Sequence, residues 1–137
     1  MIEGSCLCGA VRFRSERMSG IVVCHCSMCR KAAGGATGAF FVALRKEVTW
    51  TGEEYLASYR SSPALERAFC SRCGTAMTGA NLVEPDETII LAANALDGGI
   101  GARVVAHEHA GSKASWADND DAPHFDGPYP GWESLRP

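Results

Sequence analysis

A chain of 137 residues with 46% apolar and 21% charged side chains has the make-up of one ordinary globular domain, which excludes wholesale disorder. A formal net charge of −3 offers no electrostatic footprint for nucleic acid or an anionic membrane. The longest apolar run, around 40–44, is far too short to span a bilayer, and the opening MIEGSCLCGA carries neither a basic leader nor an apolar signal core, so a cytoplasmic protein is expected.

Taken in chain order, AVRFRS (10–15) alternates Val11 and Phe13 against Arg12 and Arg14, the period-two pattern of a half-buried strand. SMCRKAAGG (27–35) has room for one or two helical turns. ATGAFFVAL (36–44), EEYLASYRS (53–61), LERAFC (65–70), TIILAANAL (88–96) and ARVVAHEHA (102–110) are short runs rich in aliphatic or aromatic residues. They are bounded by Gly, Pro, Asn and Asp, as strands usually are. From about Ser112 the chain turns irregular, and Trp116, Phe125, Tyr129 and Trp132 are expected to anchor that tail across the domain. The expectation is a single mainly β domain over 1–137, its core spanning about 3–125, built from short antiparallel strands.

Seven cysteines, an odd number, fit poorly with a disulfide framework in a chain without an export signal. They fall into three groups: Cys6 and Cys8; Cys24, Cys26 and Cys29; Cys70 and Cys73. Cys-x-Cys on extended backbone places both sulfurs on one face, and Cys-x-x-Cys does so through a tight turn. In both outer groups a glycine follows, Gly9 and Gly74, and lets the backbone turn its N–H groups toward a metal-bound sulfur. The two half-sites therefore read as one closed zinc site of four thiolates, stapling the early strands to the middle of the chain.

The central group lacks that glycine; Arg30 and Lys31 follow Cys29 instead. His25, on extended backbone, points away from Cys24 and Cys26 and reads as a packing or surface residue. Three ligands leave one coordination position free, which is what separates catalytic from structural zinc. Zinc with three thiolates carries a net charge of −1 and is a weak activator of water, but it accepts a fourth soft ligand readily. A thiol substrate held as thiolate is the expected occupant. Arg30 and Lys31 are placed to offset the added charge, unless they are simply solvated cations.

Other signals are weaker. HEH (107–109) would put His107 and His109 on one strand face, where packing or hydrogen bonding is the expected use. AAGGATG lacks the ending of a phosphate loop and reads as a flexible turn. DNDD (118–121) does not follow calcium-loop spacing and reads as a solvated loop.

The segments GSCLCGAVRF, CHCSMCRKAAGG, FCSRCGTAM and HEHAGSKASWADNDDAPHF resemble the glutathione-dependent formaldehyde-activating enzyme family, also called the CENP-V/GFA domain. The resemblance implies an Mss4-like β-tent stapled by zinc, with two Zn²⁺ ions per chain. It implies that Cys6, Cys8, Cys70 and Cys73 hold structural zinc and that Cys24, Cys26 and Cys29 hold catalytic zinc; Arg30 as charge partner is the expectation from its place beside Cys29. The implied activity is that of a carbon–sulfur lyase of the S-(hydroxymethyl)glutathione synthase type. Such an enzyme adds a small thiol such as glutathione to a small aldehyde such as formaldehyde, or cleaves the adduct. Two readings compete with it: a zinc-stapled protein-interaction module without catalysis, and a redox-sensing or metal-buffering protein that releases zinc on mild oxidation.

Overall fold

The computed structural model describes residues 1–81, 87–98, 101–117, 121–128 and 130–135, with backbone only at positions 80, 81 and 132. Along the chain the strands are β1 (Ile2–Ser5), β2 (Arg12–Ser15), β3 (Ile21–Cys24), β4 (Gly38–Leu44) and β5 (Val48–Thr51). They continue with β6 (Leu56–Ser62), β7 (Leu65–Cys70), β8 (Ala76–Asn81), β9 (Thr88–Ala92) and β10 (Val104–Glu108). Helix α1 (Ser27–Ala33) lies between β3 and β4. The strands form two sheets, one in the order β1-β2-β5 and one in the order β10-β3-β4-β9-β8-β7-β6. This is the mainly β architecture expected from the sequence, and every strand-like run read there contains a strand.

Alternation decides which side of each strand faces inward. On β2, Phe13 and Ser15 are buried while Arg12 and Arg14 are exposed, and Arg14 pairs with Glu3 across β1 at 2.9 Å. Phe13 packs against Phe41 of the larger sheet at 6.2 Å between ring centroids and against Trp50 of β5 at 5.7 Å. It thereby joins the two sheets. Val11, Met77 and Leu91 complete the fully buried set, and Cys6 and Cys70 belong to the same cluster. The turns that carry these cysteines are thus continuous with the hydrophobic core.

Three features depart from the sequence reading. Strands β1, β3, β5 and β8 were not anticipated: three of them are four residues long, and β8 (AMTGAN) is made of small and polar residues with a glycine inside. Strands β3 (IVVC) and β5 (VTWT) carry strand-favouring residues but are too short to show alternation, whereas β8 is a strand through its pairing partners rather than its own propensity. Secondly, β10 pairs with β3 in parallel, so the two strands end side by side, with Glu108 opposite Cys24. Thirdly, Trp116 and Phe125 are 67% and 49% exposed, so neither ring is buried in the core. In that segment the buried side chain is the small one of Ala114. Tyr129 and residues 118–120 of DNDD lie outside the described residues.

Replacing Phe13 by Ala removes the ring between the sheets and should cost about 3–5 kcal/mol of stability. Arg12→Ala, on the outer face of the same strand, should change it by less than about 0.5 kcal/mol. Urea unfolding midpoints check both, and similar values for the two variants would contradict this placement of the core.

Candidate metal centres

The four sulfurs of Cys6, Cys8, Cys70 and Cys73 lie within 4.8 Å of one another. Each half of the group is built alike. Cys6 donates its N–H to the Val11 carbonyl and Cys70 donates to the Thr75 carbonyl, both at 2.9 Å. Gly9 and Gly74 return N–H groups to the carbonyls of Cys6 and Cys70. Both glycines have left-handed backbone, φ 75° and 78°, as their place after the second cysteine predicts. A side chain there would be strained.

Sulfurs held about 2.3 Å from a tetrahedral ion stand about 3.8 Å apart. The separations of Cys6 from Cys8, 3.5 Å, and of Cys8 from Cys70, 3.9 Å, bracket that spacing. A donor set made only of thiols suits zinc and not a hard cation. The residues therefore fit a closed metal site.

Thr75 was not singled out in the sequence, and it links the two halves. Its hydroxyl accepts the Leu7 N–H at 3.0 Å and lies 3.2 Å from the Cys73 sulfur. That hydroxyl, with the N–H groups of Thr75 and Cys8, holds the Cys73 thiol down to about 5. Cys8 moves the other way, to about 11. The Ala10 N–H favours its thiolate, but the Cys6 sulfur, burial and the sulfurs of Cys73 and Cys70 outweigh it. A second hydroxyl-bearing residue after the glycine of a Cys-x-x-Cys turn is the signal that marks Thr75.

The sulfurs of Cys24, Cys26 and Cys29 form a second group within 4.8 Å, at the junction of β3 and α1. Cys24 ends β3 and is buried. Cys26 is the N-cap of α1, its sulfur accepting the Cys29 N–H at 3.3 Å. Burial, the largest influence, pushes the Cys24 thiol well above the ordinary range, aided by the sulfurs of Cys29 and Cys26 and by Glu108. For Cys26, burial is outweighed by the N–H and sulfur of Cys29, the sulfur of Cys24 and the Met28 N–H, so the net shift is downward. Gly38 borders this group: a Cβ there would lie 3.1 Å from the Cys29 Cβ and closer still to the Phe40 ring. All donors in the group are soft, so it too fits zinc.

Two cations flank the group, each differently. Arg67 of β7 is buried, and its Nη2 reaches the Cys29 sulfur at 3.5 Å while its Nε donates to the Ser61 hydroxyl at 2.9 Å. Sequence reasoning did not pick it, because it stands 38 residues from Cys29. The one hint was an arginine inside an otherwise inward-facing strand. Arg30, chosen for adjacency, donates to two carbonyls, those of His25 at 3.2 Å and Ser112 at 3.4 Å. It ties α1 to the segment after β10.

His25 is buried and is not part of either sulfur group; its Nε2 lies 2.9 Å from Nδ1 of His107, with the rings stacked. The HEH segment does not lie on one strand face. Strand β10 ends at Glu108, and His109 follows with left-handed backbone, which turns it out of the alternation. A third group results, in which ligand atoms of Cys24, Glu108 and His109 lie within 4.8 Å of one another.

Two hollows meet at Arg67. The larger, about 790 Å³, is bordered by Lys31, Tyr59, Arg67, Phe69 and Asn94 but does not reach the three central cysteines. The smaller, about 260 Å³, is lined by Cys29, Phe40, Phe41, Arg67, Ile90 and Glu108, and so reaches the central group at Cys29.

A family model described as glutathione-dependent formaldehyde-activating enzyme matches residues 1–114. The chain belongs to this family. A Halomonas elongata protein, named provisionally as a glutathione-dependent formaldehyde-activating enzyme, is 41% identical over 88 residues, 56% of this chain and 54% of that protein. An uncharacterized lyase of Schizosaccharomyces pombe is 33% identical over 76 residues, 55% of this chain and 54% of that protein. The chain therefore spans about half the length of the curated relatives it matches. A crystal structure of a Rhodobacter sphaeroides protein superposes with a TM-score of 0.59 at 26% identity, covering 77% of this chain and 98% of that one. Among the described residues, no helix is long and apolar enough to cross a membrane.

Because the Cys73 thiol is held at about 5 against an ordinary 9.0, its contribution to metal binding and stability is complete above the ordinary value and is lost as pH falls toward 5. Thr75→Val removes the largest cause of that shift and raises the Cys73 value. Metal release, followed with a chromogenic chelator during acidification, should then begin at higher pH than in the parent protein. Coincident release curves would rule out this role for Thr75.

Proposed function

We propose that this chain is a cytoplasmic zinc-dependent carbon–sulfur lyase, working as one domain over residues 1–137 and carrying two zinc ions. Cys6, Cys8, Cys70 and Cys73 hold the structural ion; Cys24, Cys26 and Cys29 hold the catalytic one. The observation that carries the reading is the unequal number of sulfurs: four in a closed group and three in a group that opens onto a small cavity. Membership of the formaldehyde-activating family supports the class of reaction.

Zinc, when bound, supplies a soft acceptor that keeps a thiol in its thiolate form at neutral pH. The chain's own groups do the rest. The smaller cavity admits a small aldehyde beside Cys29, and Phe40, Phe41 and Ile90 keep water out of it. The substrate sulfur gives its electron pair to the carbonyl carbon, forming the carbon–sulfur bond while the carbonyl π pair moves to oxygen. Arg67 supplies a buried cation where that oxyanion develops, and its positive charge also offsets the sulfur-rich site. The proton released when the thiol bound returns to the oxygen, so the addition is redox-neutral and reversible. Arg30 contributes a second positive charge beside the site while clamping α1. Lys31 and Arg67 in the larger hollow suit the carboxylates of a thiol such as glutathione.

Elemental analysis should find two zinc ions per chain. Cys29→Ser should stay folded, retain one ion and lose turnover of glutathione and formaldehyde followed by exchange NMR, whereas Cys70→Ser should fail to fold stably. Arg67→Met should keep both ions and lower the catalysed rate by about 10²–10³, with partial recovery in Arg67→Lys. A two-zinc protein that accelerates no addition of any small thiol to any small aldehyde would hand the case to the non-catalytic interaction module.

A further inference from the structure

The three-sulfur centre raises the question of what stands in its fourth position before a thiol arrives. Cys24 belongs to two groups at once: the three sulfurs, and the set made with Glu108 and His109. The second set exists because β10 runs parallel to β3. Both strands end at the same level, so Glu108 stands opposite Cys24 and the next residue, His109, leaves the sheet beside it.

The backbone at His109 supplies an independent observation. With φ 50° and ψ 36° it is the one non-glycine residue with positive φ among the described residues. Glycine takes that conformation freely, and any other residue pays for it. Residues kept in such conformations cluster at functional sites. Here the left-handed turn takes the imidazole out of the alternation of β10 and into the group with the Cys24 sulfur, while the Ser112 N–H closes the turn on the His109 carbonyl at 2.9 Å.

We propose that His109 is the exchangeable fourth ligand of the central zinc, closing the site at rest and yielding its place to the incoming thiolate. The inference rests on the reading that Cys24, Cys26 and Cys29 hold zinc. Charge favours His109 over its neighbour Glu108. Zinc with three thiolates carries −1; a neutral imidazole leaves that unchanged, whereas a carboxylate would raise it to −2 beside an already crowded set of sulfurs. Zinc bound by three thiolates and one imidazole is also a familiar set, and imidazole is the softer match for a sulfur-rich ion. His109 is exposed, so its ring can change rotamer quickly and come and go without disturbing the core. The exchange forms a zinc–sulfur bond, breaks a zinc–nitrogen bond and releases the thiol's proton to water, with no change of oxidation state. A site closed this way holds its metal between turnovers and admits only ligands that outcompete an imidazole, as thiolates do and water does not.

The test uses the full chain with cobalt(II) or zinc in the central site. His109→Gly is the informative variant, because glycine suits the left-handed backbone and removes only the imidazole. The parent protein should give a visible cobalt spectrum typical of three sulfurs and one nitrogen, and zinc X-ray absorption with imidazole scattering. In His109→Gly the nitrogen signature should vanish, and zinc affinity should fall at least by the about tenfold typical of losing a group that supports a ligand. Glutathione affinity should rise severalfold because its competitor is gone. Identical spectra in parent and His109→Gly overturn the proposal, as does a spectrum that changes in Glu108→Gln instead. A parent spectrum that shows the nitrogen signature yet ignores every thiol would overturn the exchange as well as the lyase reading, and loss of thiol turnover with the exchange intact would sink the lyase reading alone.

Discussion

Everything near the central cysteines depends on the four-sulfur group that ties the turn after β1 to the turn after β7. Cys8 and Cys70 are 62 residues apart in the chain and 3.9 Å apart at their sulfurs. No local interaction brings such distant turns together, and each turn by itself is only a short loop that costs conformational entropy to order. The cluster sits against Val11, Phe13, Met77 and Leu91, so metal ligation and apolar burial stabilise the same arrangement. Fixing the end of β7 at Cys70 also fixes Arg67, three residues earlier on the strand. That is how a cation from the middle of the chain reaches the sulfur of Cys29.

The two sulfur groups use related local chemistry to opposite ends. In the outer group, left-handed glycines fold each turn back on its own carbonyls, and four sulfurs converge within 4.8 Å of one another. In the central group the chain runs instead into α1, with Cys26 capping the helix by accepting the Cys29 N–H. A helix carries the backbone away, so no second pair of cysteines folds over the top. What fills that side is a shallow cavity, a buried guanidinium and the end of β10. The difference between the closed group of four sulfurs and the group of three is therefore one of backbone path after the last cysteine, not of ligand type.

Electrostatics follows the same division. Thr75 and two N–H groups stabilise a thiolate at Cys73, which favours a metal site that survives mild acid. At Cys24 burial works against charge, and nearby sulfurs and Glu108 add to the cost. Such a centre needs positive charge from outside itself. Arg67 provides it at the sulfur, whereas Arg30 is turned to backbone carbonyls and acts chiefly as a clamp between α1 and the segment after β10.

The amino-acid sequence by itself determined the partition of the cysteines into four and three, because spacing and the two following glycines are local properties of the backbone. It determined most of the strands for the same reason: period-two patterns such as Val11, Phe13 against Arg12, Arg14 report burial directly. Strands β1, β3 and β5, each of four residues, were too short to show a period of their own, and β8 with its small side chains depends on its partners rather than on propensity. The neighbours of the central sulfurs were likewise out of reach. Arg67, Glu108 and His109 arrive through strand pairing, and nothing local says that β10 lies parallel to β3 or that β7 passes near Cys29. Adjacency in sequence pointed to Arg30 and to a shared face for His107 and His109. Tertiary structure set Arg30 against backbone carbonyls, and a left-handed residue ended the alternation that would have put His107 and His109 on one face.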